Sequence, residues 1–492
     1  MPINVYGLNP DGTTKISQAA VNWLATNLVR DSKQTMQVAA ADVEGTLFNL
    51  PAGPVQVSLG AEYRKETSRD VFDPLSNEAR NGYVQENNIA GSFDVKEAYG
   101  EIDVPVLKDV PLIHSLTLRA AGRLSDYSTV GTVHAWNVGG EWSPISDIRF
   151  RAVYAYAVRA PNINELFSPT AAGITTIVDP CQGVTLTQTG AVADNCRADP
   201  SVLANIQQNG SFTLTFPDTQ GVGTVSTSNQ NLKPEKGKTL TLGAVINPRS
   251  IHALRDLTLT VDYYDIKLAG AISQVSASTI LNHCYAQGVA DFCSLIERRT
   301  QPSGAFSIGS VQQIDLGLVN SGGLFSRGLD FTLNYAPALF GGRAGLTASW
   351  THLLKNGVIP LTGDPYDNTM GEMNNPRDSA DVTLNWDNDT FGFTIDNQYV
   401  GSQMLDFENY QTRFVLADGS LPPKKYFTVG SKIYTDAQIR FNVLKHYQWY
   451  FGVDNLFNVK QPPLYSGPPI GSVNSMYDPI GRRFYAGVRL NF

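Results

Sequence analysis

The stretch Arg483-Phe484-Tyr485-Ala486-Gly487-Val488-Arg489-Leu490-Asn491-Phe492 closes the chain, and its pattern decides the fold class. Phe484, Ala486, Val488, Leu490 and Phe492 alternate strictly with Arg483, Tyr485, Gly487, Arg489 and Asn491. Successive side chains of a strand point to opposite faces, so this segment carries one apolar and one polar face. A soluble sandwich can show the same alternation, but it seldom ends its last strand on an aromatic of the apolar face. A strand that turns its apolar side to lipid and its polar side to a lumen does so readily. The pattern predicts an all-β chain folded as a transmembrane antiparallel β-barrel.

The same alternation recurs upstream. Ile148, Phe150, Ala152, Tyr154 and Tyr156 interleave with Arg149, Arg151, Val153 and Ala155. Leu240, Leu242, Ala244 and Ile246 form another apolar row, as do Leu257, Leu259, Val261 and Tyr263. Ala380, Val382, Leu384 and Trp386 precede the tight turn Asp387-Asn388-Asp389, after which Phe391, Phe393 and Ile395 resume the pattern. A tilted spanning strand needs about ten residues, and these segments supply them.

Composition agrees. The 492 residues carry a net charge of −8, which disfavours nucleic acid as a partner because phosphate binding needs basic patches. Tyr (21) and Phe (22) far exceed Trp (6), and Gly is plentiful at 43, which suits aromatic girdles and crowded strands. No apolar run is long enough for a transmembrane helix, so a spanning chain must use a closed sheet. The N-terminal Met1-Pro2-Ile3-Asn4-Val5-Tyr6 lacks the basic-then-apolar form of a signal peptide.

The whole chain divides into about fifteen strands. They fall near 36–49, 54–69, 91–105, 114–127, 132–144, 147–159, 236–248 and 256–272. The remainder lie near 318–336, 343–355, 376–387, 389–402, 428–443, 446–457 and 481–492. Connections at 51–54, 144–147, 387–389 and 444–446 are tight, whereas 70–90, 160–235, 273–317, 356–375, 403–427 and 458–480 are long. Short periplasmic turns opposite long external loops are the habit of bacterial barrels. If Phe492 ends on the periplasmic side, counting back puts the start of the first strand outside the cell. Residues 1–35 are then expected to be an external loop remnant, with a short helix around Ser17–Ala25, and 36–492 an incomplete barrel.

Several segments carry a family resemblance. Val158-Arg159-Ala160-Pro161-Asn162-Ile163-Asn164-Glu165-Leu166-Phe167-Ser168-Pro169 resembles the strand-to-loop motif of TonB-dependent receptors. So do Asn229-Gln230-Asn231-Leu232-Lys233-Pro234-Glu235-Lys236, Asn320-Ser321-Gly322 through Arg327-Gly328-Leu329-Asp330, and Gly452-Val453-Asp454-Asn455-Leu456-Phe457-Asn458. The ending, with Phe484, Val488, Leu490 and Phe492 on one face, resembles the C-terminal signal that such barrels present to their insertion machinery. The resemblance implies a barrel of twenty-two strands around an N-terminal plug. This chain would supply the last fifteen, with neither the plug nor its energy-coupling box represented. It further implies residence in the outer membrane of a Gram-negative bacterium, in contact with its lipid. The parent activity would be uptake of a scarce ligand, driven by TonB acting on the plug. Without that plug, the segment by itself is not expected to transport.

Four cysteines fall into two close pairs, Cys181 with Cys196 and Cys284 with Cys293, each inside a predicted external loop. The even count and an oxidising periplasm favour two short-range disulfides. Zinc is the weaker choice, since the spacings are not those of zinc sites and no histidine pairs accompany them; four free thiols are a third. No nucleophile elbow, zincin helix or phosphate loop is present, so no catalytic residue, cofactor site or metal site is assigned and the chain is not expected to be an enzyme. The histidines at 114, 134, 252, 283, 352 and 446 are scattered, and Asp364-Pro365-Tyr366-Asp367-Asn368 reads as a solvated acidic turn rather than a calcium loop. Arg119, Arg123, Arg149, Arg151 and Arg489 fall on the polar face and are candidates to meet an anionic ligand or a plug surface, or simply to line a hydrated interior. Two functional classes follow: an active-uptake receptor for a siderophore, vitamin or saccharide, and a plug-less porin-like or structural barrel. A soluble enzyme on a sandwich is a distant third.

Overall fold

The computed structural model describes residues 16–82, 85–405, 407–412, 416, 419–443, 447–462 and 476–490. Fifteen long strands build the wall. The first six are Arg30–Leu50, Gly53–Phe72, Ile89–Val110, Ile113–Tyr127, Gly131–Ile145 and Ile148–Arg159. Glu235–Ile246, Leu257–Ala269, Gly323–Tyr335, Gly342–Ile359 and Asp378–Asp387 follow. Phe391–Val400, Lys432–Val443, Tyr447–Asp454 and Arg483–Leu490 complete it. Each pairs antiparallel with the next, giving an up-and-down sheet with its turns at alternating ends. Among the described residues the first and fifteenth strands each pair on one side only. No described helix is long and apolar enough to cross a membrane.

The alternation orders the wall as expected. Phe150, Leu242, Phe393 and Leu490 stand exposed on the outer face. The interior face is polar and crowded, and glycine makes the room. Tyr99 lies over Gly60, Tyr264 over Gly328, and Tyr485 and Tyr450 over Gly452 and Gly487, so a Cβ at any of these glycines would stand 2.1–2.5 Å from the ring or its hydroxyl. A tyrosine covering a bare backbone restores the contact surface that glycine lacks.

Two of the boundaries that differ from the pattern do so for one reason. The expected strand 318–336 is two elements, Val311–Asn320 and Gly323–Tyr335, because the chain turns at Ser321-Gly322-Gly323. Gly323 has φ +152, and a Cβ on Gly322 would sit 2.3 Å from Ile359, so only glycine fits. Likewise the expected strand 256–272 stops at Ala269, where Gly270 (φ +64) turns the chain out of the wall. The first strand begins earlier than expected, at Arg30, because the second strand is equally long and Arg30 reaches Asp70 with an ion pair of 3.0 Å. Ser17 caps the short helix Gln18–Leu24 through the amide of Ala20. The predicted turn 444–446 and Phe492 lie outside the described residues.

The released segments fold together at the long-loop end. Ile272–Gln274, Ile296–Arg298 and Val311–Asn320 join Ala171–Thr175 and Val222–Thr227 in a second, five-stranded sheet. Helices Ala191–Ala198, Pro200–Asn209 and Ala277–Tyr285 pack on it. Asp199 caps the second of these at its N-terminus, with proline in the first turn, and Gly210 ends it at φ 83. Its buried face, Val202, Asn205 and Ile206, has helical spacing. The largest buried apolar cluster, with Phe212, Ile206, Ile280 and Leu281, therefore lies in this loop subdomain and not in the wall. A wall that gives its apolar side to lipid has little left to bury inside.

Candidate functional site

Three regions place the sequence-predicted residues. The first is the interior face. Arg119 on the fourth strand donates to Asp103 at 2.7 Å and reaches Glu141 at 3.4 Å, and Arg149 reaches the other oxygen of Glu141 at 3.5 Å. A row of alternating charge thus crosses four strands. Arg123 pairs with Glu97 at 3.0 Å, and Glu97 also accepts the Ser125 hydroxyl. Arg151 grips Asp262 with two bonds of 3.0 and 2.6 Å. Arg489 stands on the same interior side opposite Gln448. Four of the five arginines are therefore engaged by carboxylates of adjacent or next-but-one strands. To meet a ligand they must exchange those partners, which costs little where both sides are wet.

The second region is the long-loop rim, where the quoted motifs meet. Arg159 ends the sixth strand, donates to Glu165 at 3.0 and 2.9 Å, and donates to Glu235 at 2.5 Å. Glu165 also closes a capping box with Asn162 on helix Ile163–Phe167. Glu235, opening the seventh strand, accepts the Ile272 amide at 2.6 Å. Asn320 accepts from the Lys233 amide and donates to the carbonyls of Lys233 and Gly270. Motifs separated by more than a hundred residues are thus one hydrogen-bonded rim, which anchors the loop subdomain to the wall. At the fourteenth strand Asn455 is buried with φ 51, exchanging side-chain bonds with Val459 and donating to Asp478.

The loop subdomain is the third region. Disulfides join Cys181 to Cys196 and Cys284 to Cys293, each within its own loop. Arg298 is the buried tie between them, and sequence inspection gave no sign of it. Its guanidinium donates to Asp179 at 2.6 and 3.0 Å, to Tyr285 Oη at 2.8 Å and to the Gly309 carbonyl at 2.6 Å. It also lies 4.8 Å over the Tyr285 ring. Burial alone would make this cation easier to discharge, but Asp179 and Tyr285 outweigh it and raise its pKa. Arg298 and Asp179 expose 3% and 0% of their side chains. A buried pair this fully bonded fixes geometry; it leaves no charge free for a ligand.

Between this subdomain and two further loops lies a cavity of about 990 Å³. Helix Ala277–Tyr285 forms one side, and its i, i+4 positions Ser278 and Asn282 turn outward while Ile280, Leu281 and Cys284 turn to the core. The opposite side comes from residues 360–368, after the tenth strand, and from Phe407 and Gln411 on helix Phe407–Thr412. His283 and Asp364 meet at 2.9 Å, yet the ring sits off the hydrogen-bonding line, so neither imidazole nitrogen completes a bond. The ring stacks on Phe292 at 4.6 Å. Asp364 instead accepts the Leu361 amide at 3.1 Å. The acidic turn of the sequence is thus one wall of a cavity. Among the described residues no group of three or more histidine, cysteine or carboxylate side chains is arranged to hold a metal.

The sheet, the polar interior and the rim motifs agree with one comparison above all. The model of the TonB-dependent receptor-like β-barrel family matches residues 4–456. The chain belongs to the TonB-dependent receptor family. Members of this family are transporters. Among solved structures, the ferric enterobactin receptor of Pseudomonas aeruginosa, in a complex with enterobactin, is similar over 100% of this chain and 58% of its own. The identity is 15% and the TM-score 0.58. The siderophore receptor PirA of Acinetobacter baumannii is similar over 99% of this chain and 58% of its own, at 14% identity and TM-score 0.57. The chain thus spans a little over half the length of these receptors, and at such identities the likeness concerns the fold. No curated protein is significantly similar in sequence.

Proposed function

We propose that this chain is the wall and long-loop end of a receptor that takes a scarce small molecule across the outer membrane of a Gram-negative bacterium, with TonB acting through a plug domain. The observation that carries the reading is the family match over residues 4–456, joined to a wall with a polar interior and a folded ligand-sized cavity at its long-loop end. Within this reading Arg119, Arg123, Arg149, Arg151 and Arg489 face the path a ligand follows and the surface a plug covers. Phe484, Val488 and Leu490, with Phe492, would be read by the insertion machinery. Disruption of the encoding gene in its host tests the proposal. Uptake of labelled ferric siderophores, cobalamin and oligosaccharides is compared with and without a proton uncoupler. Loss of an uncoupler-sensitive uptake of one ligand class is expected. Uptake that changes equally with and without the uncoupler would instead establish a passive, porin-like barrel.

A further inference from the structure

We propose that the loop cavity selects an uncharged, polyhydroxylated ligand, an oligosaccharide, and not an anionic metal chelate; this rests on the receptor reading given above. The cavity is the right size for a small ligand, which commonly occupies roughly 300–1,000 Å³. Among the described residues its lining holds no lysine or arginine. Ser278, Thr279, Asn282, Gln287, Asn368 and Gln411 present hydroxyl and amide groups, which both donate and accept as sugar hydroxyls do. Tyr366 and Phe407 supply rings against which the C–H face of a sugar can lie.

The charges nearby are already committed. Asp364 accepts the Leu361 amide and stands 2.9 Å from the His283 ring. Lys355, outside the lining, stands 4.3 Å over the Tyr366 ring and 4.7 Å over that of Phe325. A chelate of several negative charges would enter facing Asp364 and Asp367, and no lysine or arginine among the described lining residues would meet it, so losing its water there would go uncompensated. A neutral polyol meets neither penalty.

The test uses the protein extracted from its own outer membrane. Binding of a panel of neutral hexasaccharides (gluco-, xylo- and manno-configured) and of ferric enterobactin is measured by calorimetry. Saturable binding of a neutral hexasaccharide is expected, weakened at least tenfold by Phe407→Ala and by Asn282→Ala. Asn282 is on the outward helix face, so its substitution leaves the subdomain core intact, and unchanged heat-modifiable migration verifies the wall. Ferric enterobactin binding without any saccharide binding would overturn this inference while leaving the receptor reading standing. Binding of neither, or saccharide binding indifferent to both substitutions, would overturn it too. The receptor reading stands or falls separately, on uncoupler-sensitive uptake.

Discussion

Arg151 and Asp262 hold each other with two hydrogen bonds although a whole strand runs between them. Both are in register with Gly243, Arg151 on the sixth strand and Asp262 on the eighth. A Cβ at Gly243 would lie 2.1 Å from the Asp262 carboxylate and 2.7 Å from Arg151 Nε. Arg440 reaches Asp387 over Gly392 in the same way, at 3.2 Å. Glycine is the window through which next-but-one strands are stapled.

Gly243→Val should therefore separate the pair without touching either charge. The expected loss is about 1–2 kcal/mol of barrel stability, one partly exposed ion pair plus the displaced side chains. Urea unfolding of the extracted protein checks it. In an Arg151→Ala background the same valine should cost much less, because the pair is already gone.

Arg298→Met should strand Asp179 as a buried, unpaired charge. Breaking a buried pair from one side costs about 3–5 kcal/mol. Limited proteolysis should open the loop subdomain of this variant while the wall keeps its heat-modifiable migration. The double variant Asp179→Leu, Arg298→Met should recover much of the loss, since both charges are removed together.

Asp218 sets an acid limit for the same subdomain. Burial by itself raises its carboxyl, but the amide and hydroxyl donors of Thr215 and Ser307 outweigh burial and hold it below its ordinary value of 3.8. A depressed folded value means the stabilisation is complete above the unfolded value and is lost as pH falls through the folded one. Proteolytic protection around residues 215 and 307 should thus persist from neutral pH to about 4 and decline below it. Asp218→Asn should remove that decline and lower protection at neutral pH.

Replacing Cys181 and Cys196 together by serine should lower the stability of the subdomain by about 2–4 kcal/mol, chiefly through the freer unfolded loop. The same exchange at Cys284 and Cys293 should act alike. Peptide mapping without reductant should recover only the two within-loop pairs.

Leu490→Asp should reduce insertion, because Leu490 faces outward opposite Tyr447. The penalty for charge in hydrocarbon reaches about 2–4 kcal/mol for lysine or arginine at the midplane and is smaller for aspartate and near the rim. The yield of heat-modifiable barrel measures it; an unchanged yield would remove this residue from the insertion signal.

The sequence by itself determined the wall. Alternation with period two is a local property of each strand, written in neighbours such as Phe150 and Arg151, so it needs no tertiary contact to be read. The turn residues and the two short-range cysteine pairs were legible for the same reason. What only the tertiary structure decided depends on residues far apart in the chain. Val311–Asn320 looks like wall, yet the turn at Gly322 and Gly323 sends it into a second sheet. Asp179 and Arg298 become a buried pair only when two loops fold against each other, and Asn282, Asp364 and Phe407 share a cavity only through three separate loops. The carboxylate partners of the interior arginines were set by register between strands. A period can be read along one chain segment; a contact needs the other segment in place.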